Sequence, residues 1–345
     1  MYIVNKVRIS ILFFSVFCLT CNSCKDDDHV DPSSEIVIEL LSKEVELPAK
    51  VKLFFKVDKR NGDPLAGLTE ENFLLFEDGD KLSAFESGAQ IQREAGEFLF
   101  SSLLLLDLSG SILNADALEP LKSSAKSFVE SVIPENSDPL SGSFEMAIYW
   151  FDGEQNIHNL VDYSTSREAL IAGIESIDED ISQDNSTNLN GAVIQGIELM
   201  KNRLSEQSAS DPDVSMASSM VIFTDGTDQA GIATDNQAIS AVNNSGNDIT
   251  TFTIGLGGEI QQDVLASLGT SGFELSDNTT DLNDAFIAVA QKVKDEGNSF
   301  YVLEYCSPSR AGENVLKIQT EIEGASGSFE TTFDATGFTG GCSIN

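Results

Sequence analysis

Four consecutive leucines, Leu103 to Leu106, run straight into Asp107, and no other stretch constrains this chain as much. A run without a polar position has no solvent face. As a strand it must be covered on both sides, which is the condition of an interior strand in a parallel sheet flanked by helices. The acid that ends it opens the spacing D-x-S-x-S, with Asp107, Ser109 and Ser111 ahead of a helical pattern. Oxygen donors at the carboxyl end of such a strand stand where open α/β sheets bind their ligands. Two readings compete here: the hydroxyls cap the helix that follows, or they form the first part of a divalent-metal site.

From Leu103 to about Glu296, strand and helix patterns alternate. Leu118, Leu121, Ala125, Phe128 and Val132 step by threes and fours and give a helix one apolar face. Val193, Ile197, Met200 and Leu204 do the same within a helix expected over Ala192 to Leu204, and another is expected from Arg167 to Ile177. Strands are expected at Phe144 to Phe151, near Asn159 to Tyr163, at Met220 to Thr224 and at Ile249 to Ile254, with a closing helix from Leu282 to Val293. Alternation of this length predicts an α/β fold, a doubly wound, mostly parallel, Rossmann-like sheet.

Both flanks read differently. Ile36 to Leu40 and Val51 to Val57 are short strand patterns, and Asp78-Gly79 marks a hairpin. After Gly297 strands return at Phe300 to Tyr305, Val315 to Ile322 and Phe329 to Phe333, with no helix to cover them. The economical expectation is a β-sandwich-like domain formed by N- and C-terminal strands, 35–97 and 298–345, with the α/β domain, 98–297, inserted between.

Residues 1–23 read as an export signal, with Lys6 and Arg8 ahead of the apolar stretch Ile9 to Thr20. Asn22-Ser23-Cys24, followed by Lys25-Asp26-Asp27-Asp28, resembles a bacterial lipobox with the acidic surface-export signal of Bacteroidetes lipoproteins. That resemblance implies lipidation at Cys24, an acidic tether over 24–34, and an outer-membrane lipoprotein facing outward. Cys21 is a competing acylation site, and an uncleaved anchor or plain secretion are the rival readings. The balance of 20 basic against 56 acidic residues, a formal charge of -36, excludes general affinity for nucleic acid. It also disfavours docking on anionic lipid, which leaves a lipid anchor as the sole membrane contact.

Two further segments can meet Asp107-x-Ser109-x-Ser111 at the sheet edge: the loop Asn185-Ser186-Thr187-Asn188 and Asp225, at the end of a buried strand. With these three elements in order, the stretch from about Phe98 to Glu296 resembles a von Willebrand factor type A domain with a metal-ion-dependent adhesion site. The resemblance implies that Ser109 and Ser111 bind a cation directly and that Thr187 binds directly or through water. Asp107 and Asp225 would orient waters and supply charge. The ion implied is divalent, Mg²⁺ foremost, with Mn²⁺ or Ca²⁺ as alternatives. Neutral hydroxyls next to the ion leave it under-neutralised, so it can capture a carboxylate offered by a protein partner. Asp184 and Asp228, nearby in sequence, read as loop residues.

Rival chemistry is poorly supported. A Ser109 nucleophile would want glycines at positions 107 and 111, where Asp107 and Ser111 stand. Outside the tether the only histidine is His158, which reads as a structural or surface residue. Cys306 and Cys342 are the only cysteines beyond the leader and tether. In an oxidising location they are expected to pair, the alternative being two free thiols. The expectation is a non-enzymatic, metal-dependent binding or adhesion module on the cell surface. The alternative is an assembly or regulatory subunit that recruits a protein of its own envelope complex, with a metal-assisted enzyme as the remote third reading.

Overall fold

The described chain opens with a long antiparallel pair, β1 (Ile36–Glu46) and β2 (Lys50–Lys59). Val51, Leu53, Phe55 and Val57 point into one apolar cluster while Phe54 turns to another, as the strand period of two requires. A 3₁₀ turn at Glu70–Asn72 leads into a hairpin of β3 (Phe73–Glu77) and β4 (Asp80–Lys81). Its turn residues Asp78 and Gly79 have φ of 47° and 89°, the left-handed pair that an Asp-Gly turn supplies. β5 (Gln90–Gln92) ends this part. The computed structural model describes residues 35–83, 88–92, 98–114, 116–258 and 260–344. The export signal, the tether and Cys24 lie outside the described residues.

The α/β part follows: β6 (Phe98–Asp107), the short α1 (Gly110–Leu113), α2 (Leu118–Val132), β7 (Phe144–Phe151) and β8 (His158–Ser164). Next come α3 (Arg167–Glu175), α4 (Leu189–Ser210), β9 (Ser215–Thr224), α5 (Asp235–Asn243) and β10 (Ile249–Leu256). Then α6 (Gln262–Leu268), β11 (Gly272–Ser276) and α7 (Leu282–Gly297) complete it, and β12 (Phe300–Cys306), β13 (Glu313–Ile322) and β14 (Ala325–Asp334) close the described chain. Six strands form one sheet in the order β11-β10-β9-β6-β7-β8. All neighbours are parallel except β7 and β8.

The leucine run lies at the middle of that sheet and is covered on both faces. Leu104 and Leu106 join Leu121, Phe128, Phe286 and Val289 of α2 and α7 in one cluster. Leu103 and Leu105 join Val193, Ile197, Met220 and Leu265 in the other. All four leucines have no exposed surface. Burying such a side chain contributes roughly 1.5–3 kcal/mol, so the run fixes the strand's place. Chain order reverses between β6 and β9, and the carboxyl ends of those two strands form the crevice at the switch point.

The remaining strands form two antiparallel sheets, β1-β2-β12-β5 and β14-β13-β3-β4. Strands from both ends of the chain meet in each: β12 pairs with β2, and β13 with β3. Phe55, Phe73, Tyr301 and Ile318 fill the space between the two sheets. The outer face of the first sheet carries Phe54 and Phe300, which stack on each other and pack against Phe98 at the start of β6. Buried Lys56 anchors the end of α7 there, 2.5 Å from Glu296 and 3.0 Å from Asp58, beneath the ring of Phe300. Cys306, at the end of β12, is joined by a disulfide to Cys342, with 5.8 Å between their Cα atoms. At about 3.3 Å per residue, the ten residues of β6 put roughly 30 Å between this base and Asp107.

Candidate metal centre

Asp107 ends β6 fully buried, and both of its carboxylate oxygens are engaged. Oδ1 accepts the backbone N–H of Ser109 at 3.0 Å, and Oδ2 accepts the hydroxyl of Thr224 at 2.6 Å. Sheet register explains the second contact: Leu106 lies opposite Phe223 on β9, so the next residue of each strand meets at the crevice. Thr224 had no sequence signal of its own, being one more polar residue at a strand end.

The two hydroxyls of the D-x-S-x-S spacing converge. Ser109 Oγ lies 3.2 Å from Ser111 Oγ, and Ser111 donates to Asp225 Oδ1 at 2.8 Å. Ser109 occupies the N-cap position of α1, yet its side chain makes no capping bond. The helix-cap reading of this serine therefore fails, and its hydroxyl pairs with that of Ser111 instead. Here, too, sits a tight glycine. A Cβ on Gly110 would fall 2.6 Å from Asn185 Oδ1, so only glycine lets the 185–188 loop close over α1. That closure is held by Gly110 N–H donating to the Asn185 carbonyl at 3.1 Å.

Thr187 is buried on this loop, and its carbonyl accepts from the N–H groups of Gln229 and Ala230. A Cβ built on Gly226 would lie 3.5 Å from Thr187 Oγ1, which sets that hydroxyl beside the residue following Asp225. Helix α4 is capped by the neighbouring Asn188, whose side chain accepts from Gly191 N–H at 3.1 Å. This cap starts α4 three residues earlier than its apolar pattern predicts. The chain thus brings Asp107, Ser109, Ser111, Thr187 and Asp225 to one edge of the sheet. Asp228 serves the loop instead, accepting from the N–H groups of Asn190 and Gly231, and Asp184 accepts from Ser186.

The electrostatics are unfavourable without a cation. Burial, and then the charge of Asp225, push Asp107 from the ordinary carboxylate value of 3.8 up to about 7. Hydrogen bonds from Thr224 and Ser109 oppose that rise but do not cancel it. The donor set of hydroxyls and carboxylates is all oxygen, which suits a hard divalent ion such as Mg²⁺.

Residues 102–227 match the family model of the von Willebrand factor type A domain. The likeness to a type A domain is confined to that stretch. Such domains form a family of protein-interaction modules. Among solved structures, a von Willebrand factor type A protein from Catenulispora acidiphila is similar, with 10% identity and a TM-score of 0.47, over 88% of this chain and 74% of that one. Proximal thread matrix protein 1 from the mussel byssus, with a zinc-occupied MIDAS motif, is 16% identical with a TM-score of 0.44, over 59% and 50%. The vWF domain of the type V pili tip protein Mfa5 from Porphyromonas gingivalis is 13% identical with a TM-score of 0.44, over 58% and 96%. None of the curated proteins matches this chain.

Proposed function

We propose that the type A domain binds a divalent cation, Mg²⁺ foremost, through Ser109, Ser111 and Thr187, with Asp107 and Asp225 supplying charge and holding waters. The observation that carries this reading is the row of contacts from Ser109 to Ser111 to Asp225, built from a serine that leaves its helix uncapped. The ion would supply Lewis acidity toward an incoming carboxylate. The protein's own part is to hold neutral hydroxyls beside it, leaving it under-neutralised and attractive to an acidic side chain on a partner.

In this reading the protein is a non-enzymatic binding module. Lipidated at Cys24 and anchored in the outer membrane, it presents the crevice outward. The division at 98 and 297 is supported by the pairing of strands from both chain ends in the two antiparallel sheets. The roughly 30 Å length of β6 keeps the crevice clear of those sheets.

The test is calorimetry with Mg²⁺. Ser109→Ala and Asp225→Ala should each abolish measurable Mg²⁺ binding while far-UV circular dichroism stays unchanged, because neither side chain belongs to an apolar core cluster. Undiminished Mg²⁺ binding in both variants refutes the site. Adhesion of cells carrying the wild-type protein should be reversed by EDTA and restored by Mg²⁺.

A further inference from the structure

A second set of donors stands where β7 turns into β8, and the centre just described uses none of it. Asp152, Glu154 and His158 each offer one ligand atom, and these three atoms lie within 4.8 Å of one another. Asp152 is only 1% exposed, and its carboxylate is held in place. Oδ1 accepts the N–H of Glu154 at 2.8 Å, and Oδ2 accepts the hydroxyl of Ser182 at 2.5 Å. The His158 ring is stacked on Trp150, with centroids 4.1 Å apart and planes 15° from parallel.

The unexplained atom is His158 Nε2. It is buried from solvent and makes no hydrogen bond, although Glu154 Oε2 stands 3.5 Å away. A charge-assisted bond between the two would be shorter, at about 2.7–2.9 Å, and leaving a buried polar atom unpaired costs about 1–3 kcal/mol. The spacing instead suits an ion placed between them. With ligand bonds of about 2.1 Å, atoms 3.5 Å apart subtend about 113° at the ion, close to the tetrahedral angle that zinc adopts. The hydrogen bonds that hold Asp152 are of the kind that orient a ligating carboxylate.

We propose that Asp152, Glu154 and His158 form a second metal site, for a transition metal of the Zn²⁺ class. An imidazole nitrogen among the donors selects such ions over Mg²⁺ or Ca²⁺, which take oxygen. The site adjoins the loop of the first centre. The Asp152 carbonyl accepts the N–H of Asn188 at 2.8 Å, and the Asn188 side chain donates to the Glu154 carbonyl at 2.8 Å. An ion here clamps the segment that carries Thr187, so the second metal stiffens one wall of the partner-binding crevice. The proposal does not depend on the first centre holding Mg²⁺.

Trp150 is the only tryptophan of the chain and touches a ligand, so its fluorescence reports directly. Full-length protein kept in excess Mg²⁺ is titrated with Co²⁺, a paramagnetic stand-in for Zn²⁺. Saturable quenching at one ion per chain is expected, reversed by added Zn²⁺. His158→Phe keeps an aromatic ring against Trp150, and Glu154→Gln alters an exposed side chain, so both should fold normally. Each should weaken Co²⁺ binding at least about tenfold, whereas Ser109→Ala should leave the titration intact. Wild-type quenching curves in both His158→Phe and Glu154→Gln, or loss of quenching in Ser109→Ala, overturn the proposal. Loss of the Mg²⁺ centre alone is seen separately, by Mg²⁺ calorimetry on the same proteins.

Discussion

Replacing Asp107 by Asn tests whether the crevice is strained by uncompensated charge. The folded protein holds a proton on Asp107 up to about pH 7, while an unfolded chain releases it near 3.8. Between those values the native state binds more protons than the unfolded state, so metal-free stability falls as pH rises through the window and levels off above it. At 1.36 kcal/mol per pKa unit, the full difference is about 4 kcal/mol, of which roughly 2–3 kcal/mol is lost between pH 5 and pH 8. Asn fits the same hydrogen bonds. Its oxygen can accept from Ser109 N–H, and its amide can donate to Thr224, whose hydroxyl then turns to the Gly226 carbonyl at 3.3 Å. Asp107→Asn should therefore remove this slope and make the metal-free protein more stable than wild type at pH 8 by as much as about 4 kcal/mol. Urea unfolding in EDTA at pH 5 and pH 8, on both proteins, measures it, and the difference between them cancels the titration of the other acids. In wild type at pH 8, Mg²⁺ at a hundred times its Kd should return about 2.7 kcal/mol. An identical pH slope in the two proteins would refute the reasoning.

Two other perturbations test the frame around the site. Gly110→Ala drives a Cβ into Asn185, so Mg²⁺ affinity should drop while stability falls by about 1–3 kcal/mol; calorimetry and thermal melts that match wild type would mean the loop is not held where we describe it. Cys306→Ser with Cys342→Ser removes a link across a sequence separation of 36 and should cost about 4 kcal/mol by chain entropy, read as a lower urea midpoint. An unchanged midpoint would mean that the tail is held by packing alone.

Much of the fold was legible because the leucine run admits one environment. With no polar position from Leu103 to Leu106, the strand had to be interior, and the amphipathic spacing of α2, α4 and α7 supplied its cover. Less legible were α5, α6 and β11. In α5 only Ala238 and Val242 are buried, and β11 buries a single residue, Ser276, so neither carries a clear period. The sequence placed a strand near Asn159 to Tyr163 but not its direction, since β8 is an edge strand whose alternation is the same either way. At the crevice, Asp107, Ser109 and Ser111 were suggested by a spacing, and Thr187 and Asp225 by a loop and a strand end, but Thr224 and the orphaned nitrogen of His158 had no such signal. Both depend on register and ring stacking, which appear only when strands lie side by side.

The pairing of β2 with β12, which aligns Lys56 with Phe300, also orders the events of folding. Joining strands from opposite ends of a chain is slow, because the entropy of closing the loop must be met before the contacts reward it. If the intervening α/β segment folds first, the start of β6 and the end of α7 emerge together at its base, and the loop to be closed becomes short. Until that happens β2 waits with Leu53, Phe54 and Phe55 lacking the partner strand that covers them, an aggregation-prone sequence during synthesis. The central segment thus acts as the template on which the outer strands assemble, and lesions in the leucine run should reduce the yield of folded protein before they change anything at the crevice.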